Sequence, residues 1–391
     1  MELKRIALAA SSCVCIAAHA QSSVTLYGIL DNGISFVSNQ KTASGGGHSA
    51  WMASTGNIVG DRWGLTGAED LGGGLKALFK LENGYSGQTG KLQQGGRLFG
   101  RQSWVGLSSS DAGTVTLGRQ YDSVVDYLGP RSLAQTFYGG LEFAHPFDND
   151  NISDFFRLDN SIKFASAGYH GLTFGGLYAF SNQAGGFAVN RAYSAGAAYK
   201  NGPLSLSAAY MQLDEPGNGA VGALDGSTAS GDATFHGSRQ RVWGAGASYA
   251  LGAATFGFVW TQTTVADATG VNIGSSLAPA QTGTPTDLRF SNYEINARYL
   301  LTPSWGVAAS YTFTDGRYSN ATIDAKPRWN QFNLLTSYAL SKLTDVYLMC
   351  EYQHVTGAAG TIFRGAFIEG SGRASATNKQ FLASAGLRIR F

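Results

Sequence analysis

Apolar and polar residues alternate one for one along most of this chain, and beyond residue 20 no apolar run reaches the ~18 residues a membrane helix needs. A period of two belongs to the β-strand, whose side chains point to opposite faces in turn. The last segment shows it best. Phe381, Ala383, Ala385, Leu387, Ile389 and Phe391 share one face, and Gln380, Ser384, Gly386, Arg388 and Arg390 the other. Phe332, Leu334, Thr336, Tyr338 and Leu340 oppose Gln331, Asn333 and Ser337 in the same way. A helix would scatter both sets around its circumference.

About sixteen such segments follow one another, each able to cross a bilayer when tilted, which takes ~9–11 residues. Their connections alternate in length. Short turns fall at residues 70–73, 109–112, 167–170, 201–202, 252–253, 303–304 and 341–343. Long ones fall at 39–57, 87–96, 123–159, 182–190, 214–238, 266–288, 317–327 and 357–378. The pattern predicts an all-β fold: a 16-stranded antiparallel transmembrane β-barrel with short periplasmic turns and long extracellular loops. Closure is required because lipid cannot satisfy the backbone of an open sheet edge. A soluble sandwich would need far fewer strands.

Composition agrees. Charged residues are 14% of the chain, against about 25% in soluble domains. There are 53 glycines and 12% aromatics. Low charge with many aromatics opposes disorder, and glycine without a triplet period excludes collagen. A net charge of +2 gives no electrostatic case for nucleic acid.

Residues 1–20 read as a cleaved signal peptide, with Lys4 and Arg5 ahead of an apolar stretch and Ala18-His19-Ala20 as the cleavage site. Residues 21–391 then form one barrel domain. Two of three cysteines leave with the signal, and Cys350 remains without an intrachain partner. It shares phase with Val346, Leu348 and Tyr352, on the apolar face.

Several stretches resemble the trimeric Gram-negative general porins, and more narrowly the β-proteobacterial porin family. They are Ser23-Val24-Thr25-Leu26-Tyr27-Gly28, the run from Arg62 to Ala77, the run from Leu98 to Leu107, and the run from Gly113 to Gln120. The resemblance implies a homotrimer through which ions and small hydrophilic solutes diffuse passively. It implies contact with lipopolysaccharide and outer-membrane lipids. It makes 123–159 an in-folded third loop that narrows the pore, and the terminal Phe391 a signal read by the outer-membrane assembly machinery.

A diffusion pore needs a polar lumen and a charged constriction, not a nucleophile. Alternation turns Arg62, Lys80, Glu82 and Arg101 inward, opposite Trp63, Phe79, Leu81 and Trp104. The basic wall is therefore expected at Arg62, Lys80 and Arg101. Arg119 shares phase with Val115 and Leu117, and faces inward to join the basic wall only if a bulge intervenes. The acidic side is expected on the third loop, at Asp122, Asp126 and Glu142, with Asp148, Asp150 and Asp154 available. A weak anion preference follows. Trp51, Trp63, Tyr210, Trp260, Trp305 and Trp329 read as an interfacial aromatic belt.

Gly72-Gly73-Gly74 sits between strands with no helix behind it, so it is a turn and not a phosphate loop. The histidines are scattered without metal-ligand spacing, and no nucleophile elbow appears. No cofactor, metal or catalytic residue is expected, and the chain does not read as an enzyme. The alternatives are a substrate-selective channel, a barrel enzyme, or a receptor or adhesin using loops 214–238 and 266–288.

Overall fold

The computed structural model describes residues 23–219, 221–225, 232–273 and 280–391. The expected signal peptide lies outside them. Sixteen strands run in sequence: β1 (Ser23–Lys41), β2 (Gly47–Thr55 and Arg62–Gly72), β3 (Leu75–Gly84), β4 (Gln102–Ser109), β5 (Gly113–Gln120), β6 (Leu158–Ser166), β7 (Leu172–Ala179) and β8 (Arg191–Asn201). Then come β9 (Leu204–Asp214), β10 (Arg239–Leu251), β11 (Ala254–Val271), β12 (Ala280–Thr302), β13 (Trp305–Ser319), β14 (Arg328–Ala339), β15 (Thr344–Thr356) and β16 (Lys379–Arg390). Each pairs antiparallel with its neighbours in sequence, and β16 returns to β1 with Ile29 opposite Arg390 and Val37 opposite Leu382. The sheet is a closed barrel, so no spanning strand has a free edge.

The inward and outward phases follow the alternation. In β16, Gln380, Ser384 and Arg388 are buried inside while Phe381, Leu387 and Ile389 stay exposed on the lipid side. Cys350 lines an apolar outer groove with Phe36, Trp51, Leu334 and Leu348. The terminal residue completes closure. The Phe391 N–H donates to the Gly28 carbonyl at 3.1 Å, and Gly28 N–H donates back to the Phe391 carbonyl at 2.9 Å. The Phe391 ring lies so close over Gly28 that a Cβ there would stand 2.2 Å from it.

Two expected loops are largely strand. Gly47–Thr55 pairs with β1, with Trp51 opposite Phe36. β11 and β12 extend their hairpin to Val271 and from Ala280, so little of 266–288 is loop, and residues 274–279 lie outside the described residues. Both segments are rich in Gly, Ser, Thr and Ala. That composition suits a solvated loop, but equally a strand that has risen beyond the bilayer.

β2 is broken. Leu30 and Asp31 of β1 face the six residues 56–61, since Asn32 pairs with Thr55 and Ile29 with Arg62. This is a bulge enlarged well beyond the usual single extra residue. The segment turns inward, and Ile58 and Val59 pack on Leu133, Ala134 and Phe143. Asp31 and Asp61 replace the missing ladder. Asp31 Oδ2 accepts from Ile58 N–H (2.8 Å) and Val59 N–H (3.0 Å), and Asp61 Oδ1 accepts from Asp31 N–H (2.6 Å).

The lumen is not uniformly polar. Phe147 from the connection between β5 and β6 meets Phe363 and Phe367 from the connection between β15 and β16. They pack on the inward-facing Phe290 and Trp329. Trp329 is therefore fully buried and not part of an aromatic belt.

Gly28→Val should displace the Phe391 ring and weaken closure by about 1–3 kcal/mol, the usual range for overpacking. The shift of folded barrel to unfolded band on heated, semi-native gels checks this, with Gly33→Val avoided as a control because its Cβ would meet backbone.

Candidate functional site

The connection 121–157 lies inside the barrel. It is built from short turns, Val124–Leu128, Gly129–Arg131, Leu133–Gln135, Leu141–Phe143 and Pro146–Asp148. Its end is strained: Phe147, Asp148, Asn151 and Asp154 all have φ between 43° and 64°, a region that non-glycine residues seldom occupy. The wall makes room for it with glycine. A Cβ at Gly196 would lie 2.5 Å from the Tyr127 ring, and one at Gly306 would lie 2.3 Å from the Tyr138 ring.

Hydrogen bonds pin the loop to β10–β14. His145 is fully buried, with Nδ1 2.7 Å from Asp150 Oδ2 and Nε2 3.1 Å from Glu294 Oε2. Glu294 also accepts from Ser132 Oγ and Leu133 N–H, both at 2.7 Å. Thr261 donates to Asp150, Gln240 to the Asn149 carbonyl, and Gln331 to the Ala144 carbonyl. The break in β2 adds one more tie, Leu141 N–H to the Asn57 carbonyl at 3.0 Å. Burial alone would lower the His145 pKa, but Asp150 and Glu294 outweigh it and push it up to about 10. His145 is thus protonated at neutral pH and shares the charge of two buried carboxylates.

Facing this loop, the basic wall forms around one carboxylate. Glu82 lies 3.1 Å from Arg101, 3.6 Å from Lys80 and 3.8 Å from Arg62, and accepts from Tyr27 at 2.8 Å. The three expected cations are brought together. Arg157 joins them through Tyr121, whose hydroxyl accepts from Arg101 at 2.8 Å and Arg157 at 3.0 Å. Asp154 is 3.4 Å from Arg101 and 2.8 Å from Arg157. Four cations therefore share two carboxylates. Beneath the loop a cavity of about 240 Å³ is lined by Arg62, Arg388, Arg390, Asp154, Gln135 and Phe137. Arg388 and Arg390 both bind Asp345, and the Phe137 ring lies 4.4 Å and 4.7 Å from their guanidinium carbons.

The remaining expected residues sit elsewhere. A register shift between Gly118 and Gln120 does turn Arg119 inward, but it pairs with Asp159 (2.7 Å) and Asp232 (3.0 Å) in a separate network that includes Arg97. Asp122 is fully buried, accepting from Val124 N–H and Asn151, and burial raises its pKa to about 6. Asp126 pairs with Lys163 of the wall. Glu142 is 2% exposed, and burial near Asp31 and Glu351 holds its pKa well above the carboxylate range. None of the three faces the basic wall. Asp122 is taken up by the loop's own turn, as short carboxylates beside backbone amides commonly are, Asp126 by a wall lysine, and Glu142 by burial. Asp154 is the loop acid that meets the arginines. The alternation carries no signal for Arg157, which lies at the loop's end, where no strand phase assigns a face.

A profile of the Gram-negative porin family matches residues 7–358. The chain is 31% identical over 375 residues to an outer membrane porin protein of Bordetella pertussis, covering 86% of this chain and 90% of that one. It is 37% identical over 218 residues to outer membrane porin protein 32 of Delftia acidovorans, covering 53% and 58%. Among solved structures, an anion-selective porin from Comamonas acidovorans superposes with a TM-score of 0.70 at 26% identity, covering 95% of this chain and all of that one.

Two outcomes follow from the His145 contacts. His145→Leu should strand Asp150 and Glu294 in the interior and cost about 3–5 kcal/mol, read as a lower melting temperature and noisy single-channel current. The His145 pKa is raised on folding, so its stabilisation is full below pH ~6.5 and is lost as pH rises through about 10. Deprotonation of Glu142 and Asp148, both raised by burial, acts in the same direction. Melting temperature should fall on alkalinisation from pH 7 to 10.5, and much less in His145→Leu. The closed sixteen-stranded barrel and the family match together make the chain a member of the Gram-negative porin family, a porin of the outer membrane.

Proposed function

We propose that this porin is a water-filled passage for passive diffusion of ions and small hydrophilic solutes, with a weak preference for anions. The cavity beneath the in-folded loop carries the reading, because three arginines and one aspartate line it. In a narrow passage with low-dielectric walls such an excess of positive charge raises the local concentration of anions. Arg62, Lys80 and Arg101 form the basic wall, Arg157 extends it, and Asp154 is the opposing acid. The relative from Comamonas acidovorans, described as anion-selective, supports the same sign. Arg119, paired with Asp159 and Asp232, belongs to the separate network with Arg97 and not to the basic wall.

The working unit is a homotrimer, and Phe391 doubles as the assembly signal. Residues 1–20 direct export. The receptor or adhesin alternative loses ground because Ala223, Leu224 and Ala233 of the connection 215–238 are packed inside the barrel.

Planar-bilayer recording across a salt gradient tests the reading. The reversal potential should have the anion-selective sign. Arg62→Gln with Lys80→Gln leaves Arg101 to hold Glu82 and equalises cations and carboxylates at the wall, so the potential should fall by roughly half or more. A cation-selective wild type, or an unchanged potential in the double variant, would refute it. Folded protein without conductance would remove the diffusion reading altogether.

A further inference from the structure

The cavity beneath the in-folded loop has two unlike halves. Arg62 of β2, Ile29 of β1 and Arg390 of β16 are directly opposite one another in a single inward-facing row. Two arginines thus flank an isoleucine, at about 4.8 Å per strand. Arg388 lies two residues back along β16, on the same inward phase. Against these cations the cavity carries Ile58 and Val59 from the segment that interrupts β2, and Ala134, Phe137 and Leu141 from the loop.

A channel for plain ions gives no reason for Phe137. It is 46% exposed, yet it stands inside the barrel, with the Arg388 and Arg390 guanidinium groups over its ring and Tyr138 edge-to-face at 5.0 Å. Arg388 also donates to the Phe137 carbonyl at 3.4 Å, so the ring is held at the cavity wall. Apolar surface left in water is unfavourable, and the interior of a diffusion barrel is ordinarily polar. Ile29, Val59 and Leu141 are likewise only half-buried. Chloride or phosphate gains nothing from such a wall.

The cations of the cavity are not balanced within it. Arg388 and Arg390 share Asp345. Arg62 donates through Nε to the Gly60 carbonyl at 2.9 Å and reaches Glu82 only at 3.8 Å, where Arg101 and Lys80 also bind. Asp154 lines the cavity but is bound by Arg101 and Arg157. The lining therefore keeps positive charge for a solute anion. Its volume, about 240 Å³, lies below the ~300–1,000 Å³ of pockets for drug-sized ligands, so the solute is small.

We propose that this cavity is a subsite for a small carboxylate with an apolar, ring-sized body, of which benzoate is the simplest aromatic case. The carboxylate takes the guanidinium fork of Arg62, which suits its two oxygens, and the body lies on Ile29, Val59 and Phe137. The inference rests on the anion-preferring passage proposed above and adds which anions dwell in it. Such a solute meets both halves of the cavity at once. Acetate meets only the cations, and benzyl alcohol only the apolar wall.

The test is block of chloride current through the whole protein in planar bilayers, with benzoate, acetate or benzyl alcohol added at constant ionic strength and pH. Benzoate should reduce the current saturably, at a concentration about tenfold below that of acetate, and benzyl alcohol should not block. Phe137→Ala should raise the half-blocking concentration of benzoate about fivefold or more, toward that of acetate. Ile29→Thr, close in volume and at ease in a strand, should move it the same way and serves if Phe137→Ala does not fold. The wild-type reversal potential in a chloride gradient reads the passage separately. An anion-selective wild type in which benzoate is no stronger than acetate, or benzyl alcohol as strong as benzoate, would overturn the subsite while the passage stands. Unchanged benzoate block in the folded variants would overturn it too. A cation-selective wild type would overturn both.

Discussion

Every feature of this molecule depends on the backbone hydrogen bonds between its first and last strands. Lipid supplies no partner for an exposed N–H or C=O, and each one left unmet costs several kcal/mol. Pairing of Ile29–Val37 with Leu382–Arg390, finished by the reciprocal bonds of Gly28 and Phe391, removes both edges at once. Only with that seam closed does an interior exist. Its width then obliges loops to fill what side chains cannot reach.

The filling uses two chemistries at two heights. Toward the loops, aromatic rings from two connections meet inward-facing Phe290 and Trp329, a packed core inside a barrel. Lower down, the loop 121–157 is held by buried polar contacts around His145, and opposite it the arginines gather on Glu82 and Asp154. The polar ties fix where the loop stands, and the unmatched cations fix the field in the space it leaves. Glu82 serves both ends, since without it three like charges within one small region would repel.

Much of this was legible in the alternation. Strand number, phase, turn positions and the inward set Arg62, Lys80 and Arg101 all follow from a period of two, because lipid on the outside enforces that period along the wall except where a bulge shifts it, as beside Arg119. Past the bilayer the constraint ends, and so does legibility. Gly47–Thr55 and the β11–β12 hairpin look like loops because no lipid demands an apolar face there. Trp329 looks like a belt residue because alternation separates faces without saying which inward positions a loop will cover. Asp122 and Glu142 stand away from the basic wall for a related reason: composition locates a carboxylate on a loop, while local hydrogen bonding at Asp122 and burial at Glu142 decide where it ends.

The broken second strand separates two things that a barrel wall ordinarily links. In an unbroken strand, one inserted residue reverses the facing of everything beyond it. Here β2 pairs with β1 in two independent stretches, and residues 56–61 loop inward between them, carried on Asp31 and Asp61. Length can be gained or lost within that span without disturbing either stretch. Aperture and enclosure are thus under separate control, and a lineage of such chains is free to retune what passes through while leaving the membrane seal alone.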